Sequence, residues 1–163
     1  MIKEKTRIIP YSVNKQKVYF STVMDEHNFS REIIYSSGEK ECDIKEYFKK
    51  SIISIKSLQL AKTEKCLCFV NPDRPTEFWE NSNKIDEHWI DGKTYLIEYK
   101  KDTEKHCLVV VLDYTLEKEV IIDYLEHNLL INEILFMDEL SNCWIKKRLR
   151  QELCVNGKNH SVG

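Results

Sequence analysis

The sequence predicts a single α+β domain built on a mixed β-sheet flanked by helices. Three observations predict it. The chain has 163 residues, the usual size of one domain with one core. Its composition is 42% hydrophobic and 32% charged, with only 4 Gly and 3 Pro, which excludes collagen-like, low-complexity and disordered chains. Short runs rich in β-branched and aromatic residues alternate with stretches of helical apolar spacing.

The elements follow in order. Residues 18–24 and 31–35 read as strands, and Ser36-Ser37-Gly38 breaks the chain after them. Residues 41–50 read as a helix, because Ile44, Tyr47 and Phe48 recur at helical spacing. Glu41 falls on the same inward face and therefore needs a partner, since an unpaired buried charge is costly. Residues 52–60 and 65–70 read as two extended segments, and 71–83 as a polar loop. Residues 84–90 and 94–100 read as strands joined by a hairpin at Asp91-Gly92. Leu116, Val120, Ile121, Tyr124 and Leu125 form a helical stripe, and 106–112 is read as the start of that helix. Residues 130–137 read as a strand, and 138–153 as a last helix capped by Asp138 or Ser141. No internal repeat is visible. The expected domain spans 1–155, with 156–163 a frayed tail.

Charge and cysteine usage narrow the function classes. Net charge is −2, which disfavours strong non-specific DNA binding by the chain as a whole. Lys146, Lys147, Arg148 and Arg150 cluster and read as a solvated helix face. The six cysteines form no C-x-x-C, and Cys66-x-Cys68 lies in an apolar run, so free thiols in the cytoplasm are expected. The charged start carries no signal-peptide pattern, and the longest apolar run, 107–112, is too short to span a bilayer, so no membrane partner is expected.

One constellation suggests chemistry. Glu98 and Lys100 stand two apart on a predicted strand and share a face. Asp86 lies on the strand before, and Glu41 on the preceding helix. Three carboxylates beside a lysine suit a Mg²⁺ or Mn²⁺ ion that activates a water against a phosphodiester. The lysine would steady the developing charge. His88 shares the face of Asp86 and could orient it, although a plain strand histidine is the commoner case. Trp79 and Trp89 could stack on bases, but packing is the commoner role.

These residues resemble the PD-(D/E)xK nuclease superfamily, and more narrowly the catalytic domain of TnsA-type transposon endonucleases. Carrying the resemblance are Tyr19-Phe20-Ser21, Tyr35-Ser36-Ser37, Glu41-Cys42-Asp43, the stretch 53–59 ending in Gln59, Ile85-Asp86 and Leu96-Ile97-Glu98-Tyr99-Lys100. The resemblance spans residues 7–140. Ile85 stands where the family has proline, Glu39 competes with Glu41, and Asp73 in Pro72-Asp73 competes with Asp86. It implies a restriction-endonuclease-like fold and Mg²⁺-dependent DNA cleavage at transposon ends. Glu41, Asp86 and Glu98 would be metal ligands and Lys100 catalytic, with DNA, a transposase and an ATPase regulator as partners. The alternative from the residues alone is a non-enzymatic binding module, such as an immunity or inhibitor protein.

Overall fold

A computed structural model describes residues 10–71, 85 and 88–147. The strands are β1 (Tyr11–Thr22), β2 (Asp25–Ser36), β3 (Ile55–Phe69), β4 (Trp89–Lys101), β5 (Glu104–Asp113) and β6 (Glu133–Lys146). Helix α1 (Glu41–Ser51) precedes β3, and α2 (Glu119–Asn128) precedes β6. The α+β class with a mixed sheet holds. The sheet closes on itself as a barrel in the order β1-β2-β6-β4-β5-β3.

Alternation along the strands sorts residues into three cores. Inside the barrel lie Val13, Ile34, Cys66, Cys68, Val111, Cys143 and Ile145. On one outer face α1 buries Ile44 and Phe48 against Val18, Phe20, Ile33, Tyr35 and Trp89. On the opposite half α2 buries Ile121 and Leu125 against Phe69, Ile97, Val110 and Leu112. Both helices were visible as apolar stripes. In α1, Glu41 and Asp43 sit in the first turn and Lys49 and Lys50 in the last, which suits the helix dipole.

The chain contains one topological unit twice. Strand, strand, helix, strand (β1-β2-α1-β3) is followed by β4-β5-α2-β6. In each unit the first strand is central and antiparallel to the other two. The units join through two short parallel seams, β2 with β6 and β3 with β5. The registers also correspond. A shift of 79 residues matches Tyr11 with Ile90, Lys15 with Thr94 and Thr22 with Lys101, and their partners match at a shift of 76 to 79. Thus Cys66, opposite Val13, corresponds to Cys143, opposite Gly92. The sequence conceals this repeat because corresponding positions keep neither identity nor, in most places, burial: Val18 and Ile97 are both buried, but buried Asn14 corresponds to exposed Lys93.

Several expected elements are corrected. The helix expected over 138–153 is strand β6 through Lys146, so Asp138 and Ser141 cap nothing. Residues 106–112 form strand β5 and not a helix start. That run is apolar on both faces because Val109 and Val111 face the barrel interior while Leu108, Val110 and Leu112 face α2; burial on both sides removes the alternation that marks a strand. The segments 52–60 and 65–70 are largely the single strand β3. Strand β4 runs straight through Asp91-Gly92, so the hairpin expected there does not form. Gly92 answers to space instead: a Cβ there would lie 2.8 Å from both Ile145 Cδ1 and the Leu112 carbonyl oxygen. Of the strand expected over 84–90, Trp89 and Ile90 begin β4, whereas the described Ile85 and His88 are helical, so His88 is not a strand residue.

Candidate functional site

The structure places the expected catalytic residues as follows. Asp86 lies outside the described residues, as do Asp73, Trp79, Arg148 and Arg150. Glu98 and Lys100 do share one face of β4. They pair across to Cys107 and Lys105 on β5, on the face turned away from α2.

Glu41 lies elsewhere. It accepts a hydrogen bond of 2.9 Å from Nε2 of Gln16, a fully buried side chain. Gln16 Nε2 also donates to the Ala61 carbonyl at 2.6 Å, and its Oε1 accepts from the Tyr35 hydroxyl at 2.8 Å. Burial raises the Tyr35 pKa above its ordinary value; a hydrogen bond to Thr63 works the other way, and the Glu41 and Glu39 charges add to the rise. Gln16 shares its parity with Val18 and Phe20, hence the α1 side of the first three strands. Glu98 is on the α2-distant face of the second three. The β1–β2–β3 sheet therefore stands between Glu41 and Glu98, and the two do not meet around one ion. Glu41 is exposed at the start of α1, so the inward burial expected of it does not occur; its bond with Gln16 instead ties the first turn of α1 to β1.

The competing residue Glu39 is also engaged. It accepts from Lys146 Nζ and from the Ser36 amide. Lys146 lies over the Tyr47 ring, so it is not the solvated charge expected of it. Trp89 is buried and donates its indole N–H to Ser51 Oγ at 2.7 Å. The His88 ring meets Tyr47 edge-on, and its carbonyl accepts from the Tyr47 hydroxyl.

What sequence reasoning missed is a fork. Strands β2 and β6 pair only over Glu32–Ile34 and Cys143–Ile145 and then part. The opening is a cleft of about 470 Å³ lined by Lys17, Ser30, Arg31, Glu32, Asp91, Ser141, Asn142, Cys143 and Trp144. Beyond the seam, no described strand pairs with the facing edges of Ser30 and Arg31 or of Ser141 and Asn142. The Arg31 guanidinium lies 5.3 Å from the centre of the Trp144 ring. Ser141 Oγ donates to Glu32 at 2.7 Å and meets Thr94 Oγ1 at 2.9 Å. Glu32 also neighbours Lys15 at 3.9 Å, and Lys15 reaches Glu64 at 3.6 Å. Beneath this polar layer, burial pushes the Cys66 thiol up to about 11 and the Cys143 thiol higher still, so both stay protonated and unreactive at neutral pH.

The second fork, between β3 and β5, has a different chemistry. Matching Ile34 to Val111 and Ile145 to Cys68 makes Arg31 correspond to Leu108, Glu32 to Val109, Trp144 to Leu67 and Lys17 to Leu96. One fork is charged where its counterpart is apolar, so the fold itself does not require the charges. Nothing in the sequence flagged them, because Lys17, Arg31 and Ser141 come from separate strands.

Comparison with family models, curated proteins and solved structures returned no match. Among the described residues, no helix is long and apolar enough to cross a membrane.

Proposed function

We propose that the chain is a non-catalytic protein-binding module that takes an extended peptide segment of a partner into the β2/β6 fork. An inhibitor or immunity protein would use such a site. The carrying observation is the fork itself: two diverging strand edges that no described strand pairs with beyond the seam, lined by charged and polar side chains. An extended peptide can pair with such edges by strand addition, its side chains alternating between pockets. Strands sit about 4.8 Å apart, so a peptide fits where the edges are roughly 9–10 Å apart. The cleft offers Lys17 and Arg31 against Glu32 and Asp91, which favours a peptide carrying both signs of charge.

The test is selection of binders from a displayed library of random 12-residue peptides, followed by amide exchange. Binding is expected to slow exchange at Ser30, Arg31, Ser141 and Asn142, and Arg31→Ala is expected to weaken it about tenfold or more. Peptides that bind equally well to Arg31→Ala and protect neither strand would defeat the proposal.

A second reading is a Mg²⁺- or Mn²⁺-dependent endonuclease of restriction-endonuclease-like fold. It would act at transposon ends with DNA, a transposase and an ATPase as partners. One observation favours it: Glu98, Lys100 and Lys105 gather on one face of the β4–β5 pair. In this reading Glu98 and Asp86 hold the ion and Lys100 steadies the scissile phosphate, while Glu41 takes no part. Nicking of plasmid DNA with Mn²⁺ that disappears in both Glu98→Gln and Lys100→Ala supports it; no nicking by the wild type removes it.

A further inference from the structure

The two ends of the barrel correspond under the internal repeat, yet their tips differ. At one end the β1–β2 hairpin turns through Val23 and Met24, which are 67% and 88% exposed. Ile53, in the loop after α1, is 67% exposed. The loop is tied to the tip, because the Val23 amide donates to the Ser54 carbonyl at 2.8 Å. Ser54 takes a left-handed backbone conformation, φ 60°, that completes the turn. At the other end the corresponding hairpin residues are Asp102 and Thr103, with Asp102 donating its amide to Asn132 Oδ1. The fold thus accepts polar residues at this position. Three exposed aliphatic side chains on a tied-down tip call for an explanation other than packing.

Cations lie beside Ile53 on the α1 side of this end. Lys45, Lys49 and Lys56 line a shallow groove of about 430 Å³ that includes Ile53 and Leu58. Three carboxylates oppose them locally: Asp25 and Glu26 directly after the tip, and Glu46 on α1. Asp25 is partly occupied with the His27 amide, at 3.0 Å. The charge is therefore lopsided, basic on the helix side of the tip.

We propose that this end is a peripheral membrane-docking surface, with Val23, Met24 and Ile53 entering the headgroup region and Lys45, Lys49 and Lys56 meeting the phosphates of anionic lipids. The shape favours a bilayer over a protein partner. The aliphatic residues stand on a projecting turn, which a soft interface receives without a matching pocket. The cations are lysines, which are depleted at protein–protein interfaces and are the common means of attraction to anionic lipid. Aliphatic side chains beside such lysines follow the chemistry of interfacial anchors. Peripheral contact of this kind needs no spanning segment. The surface is separate from the fork and stands or falls independently of it.

The test is sedimentation of the full chain with phosphatidylcholine vesicles, with and without 30 mole per cent phosphatidylserine. Binding is expected only to the anionic vesicles, and to fall in 0.5 M salt. Met24→Asp and Ile53→Asp are each expected to reduce it at least tenfold; both residues are exposed, and circular dichroism verifies that the variants fold. Each lysine changed to glutamine is expected to reduce it about fivefold, the equivalent of about 1 kcal/mol. Absence of wild-type binding at low salt, or binding unchanged by Met24→Asp, overturns the proposal. Concentration-dependent self-association abolished by Met24→Asp, with no vesicle binding, would overturn it too and assign the tip to a second copy of the chain.

Discussion

Gly92→Ala tests the barrel directly. The added methyl would meet Ile145 Cδ1 and the Leu112 carbonyl oxygen, each at 2.8 Å, with Cys143 Sγ at 3.2 Å. Ordinary heavy-atom contacts lie near 3.5–4.0 Å, so both close contacts are short by about 0.7 Å or more. The Ile145 methyl can swing away, whereas the Leu112 oxygen belongs to the β5 backbone and cannot move alone. Overpacking a filled core costs about 1–3 kcal/mol, and a backbone contact puts this variant near the upper end. For a chain of this size that lowers Tm by roughly 6–12 °C. Thermal and urea unfolding followed by circular dichroism measures it. Gly38→Ala is the control: nothing lies within 4 Å of its added Cβ, so its stability should stay within about 0.5 kcal/mol of wild type. A cycle with Ile145→Val sharpens the test, because that change deletes the one side-chain atom at 2.8 Å. The double variant should be more stable than the sum of the single effects by roughly 1 kcal/mol. If Gly92 belonged to an exposed hairpin turn, Ile145 would not be coupled to it. A Gly92→Ala protein as stable as wild type, or a cycle that is additive, would refute the closed barrel at this position.

Other outcomes follow from the same contacts. Gln16→Leu removes the acceptor of the Tyr35 O–H, which keeps only its Thr63 bond, and the donor to the Ala61 carbonyl and Glu41, and should cost about 1–3 kcal/mol in urea unfolding. Ser51→Ala leaves the buried Trp89 indole N–H without its partner and should cost roughly 1–3 kcal/mol; an unchanged urea midpoint would contradict that bond. The Cys66 thiol is raised by burial to about 11 in the fold from an ordinary 9. Its proton is retained by the folded chain after the unfolded chain has lost it, so its contribution is full below pH 9 and declines as pH rises towards 11. Unfolding midpoints at pH 8, 9.5 and 10.5 should therefore fall less steeply in Cys66→Ala than in wild type. A thiol reagent should modify exposed Cys42 and Cys107 quickly and buried Cys66, Cys68 and Cys143 only on unfolding, as counted by mass spectrometry.

The sequence by itself determined the α+β class, the two helices and the burial of the cysteine-rich strand. Those properties are local. Ile44 and Phe48 in α1, and Ile121 and Leu125 in α2, sit at helical spacing whatever they pack against. It also determined that Glu98 and Lys100 share a face, because that follows from strand geometry alone. It placed Glu41 on the inward face of α1, whereas Glu41 is exposed and meets Gln16, from a strand 25 residues earlier, at the margin of the sheet. Only the tertiary structure decided the rest. Whether 106–112 was helix or strand depended on two burying faces, the barrel interior and α2. Whether Asp91-Gly92 turned or ran straight depended on Ile145 and Leu112 crowding the glycine. Whether Glu41 met Glu98 depended on which side of a sheet each element lay. The fork emerged where strands far apart in the chain pair over three residues and then separate, a register that no local pattern encodes.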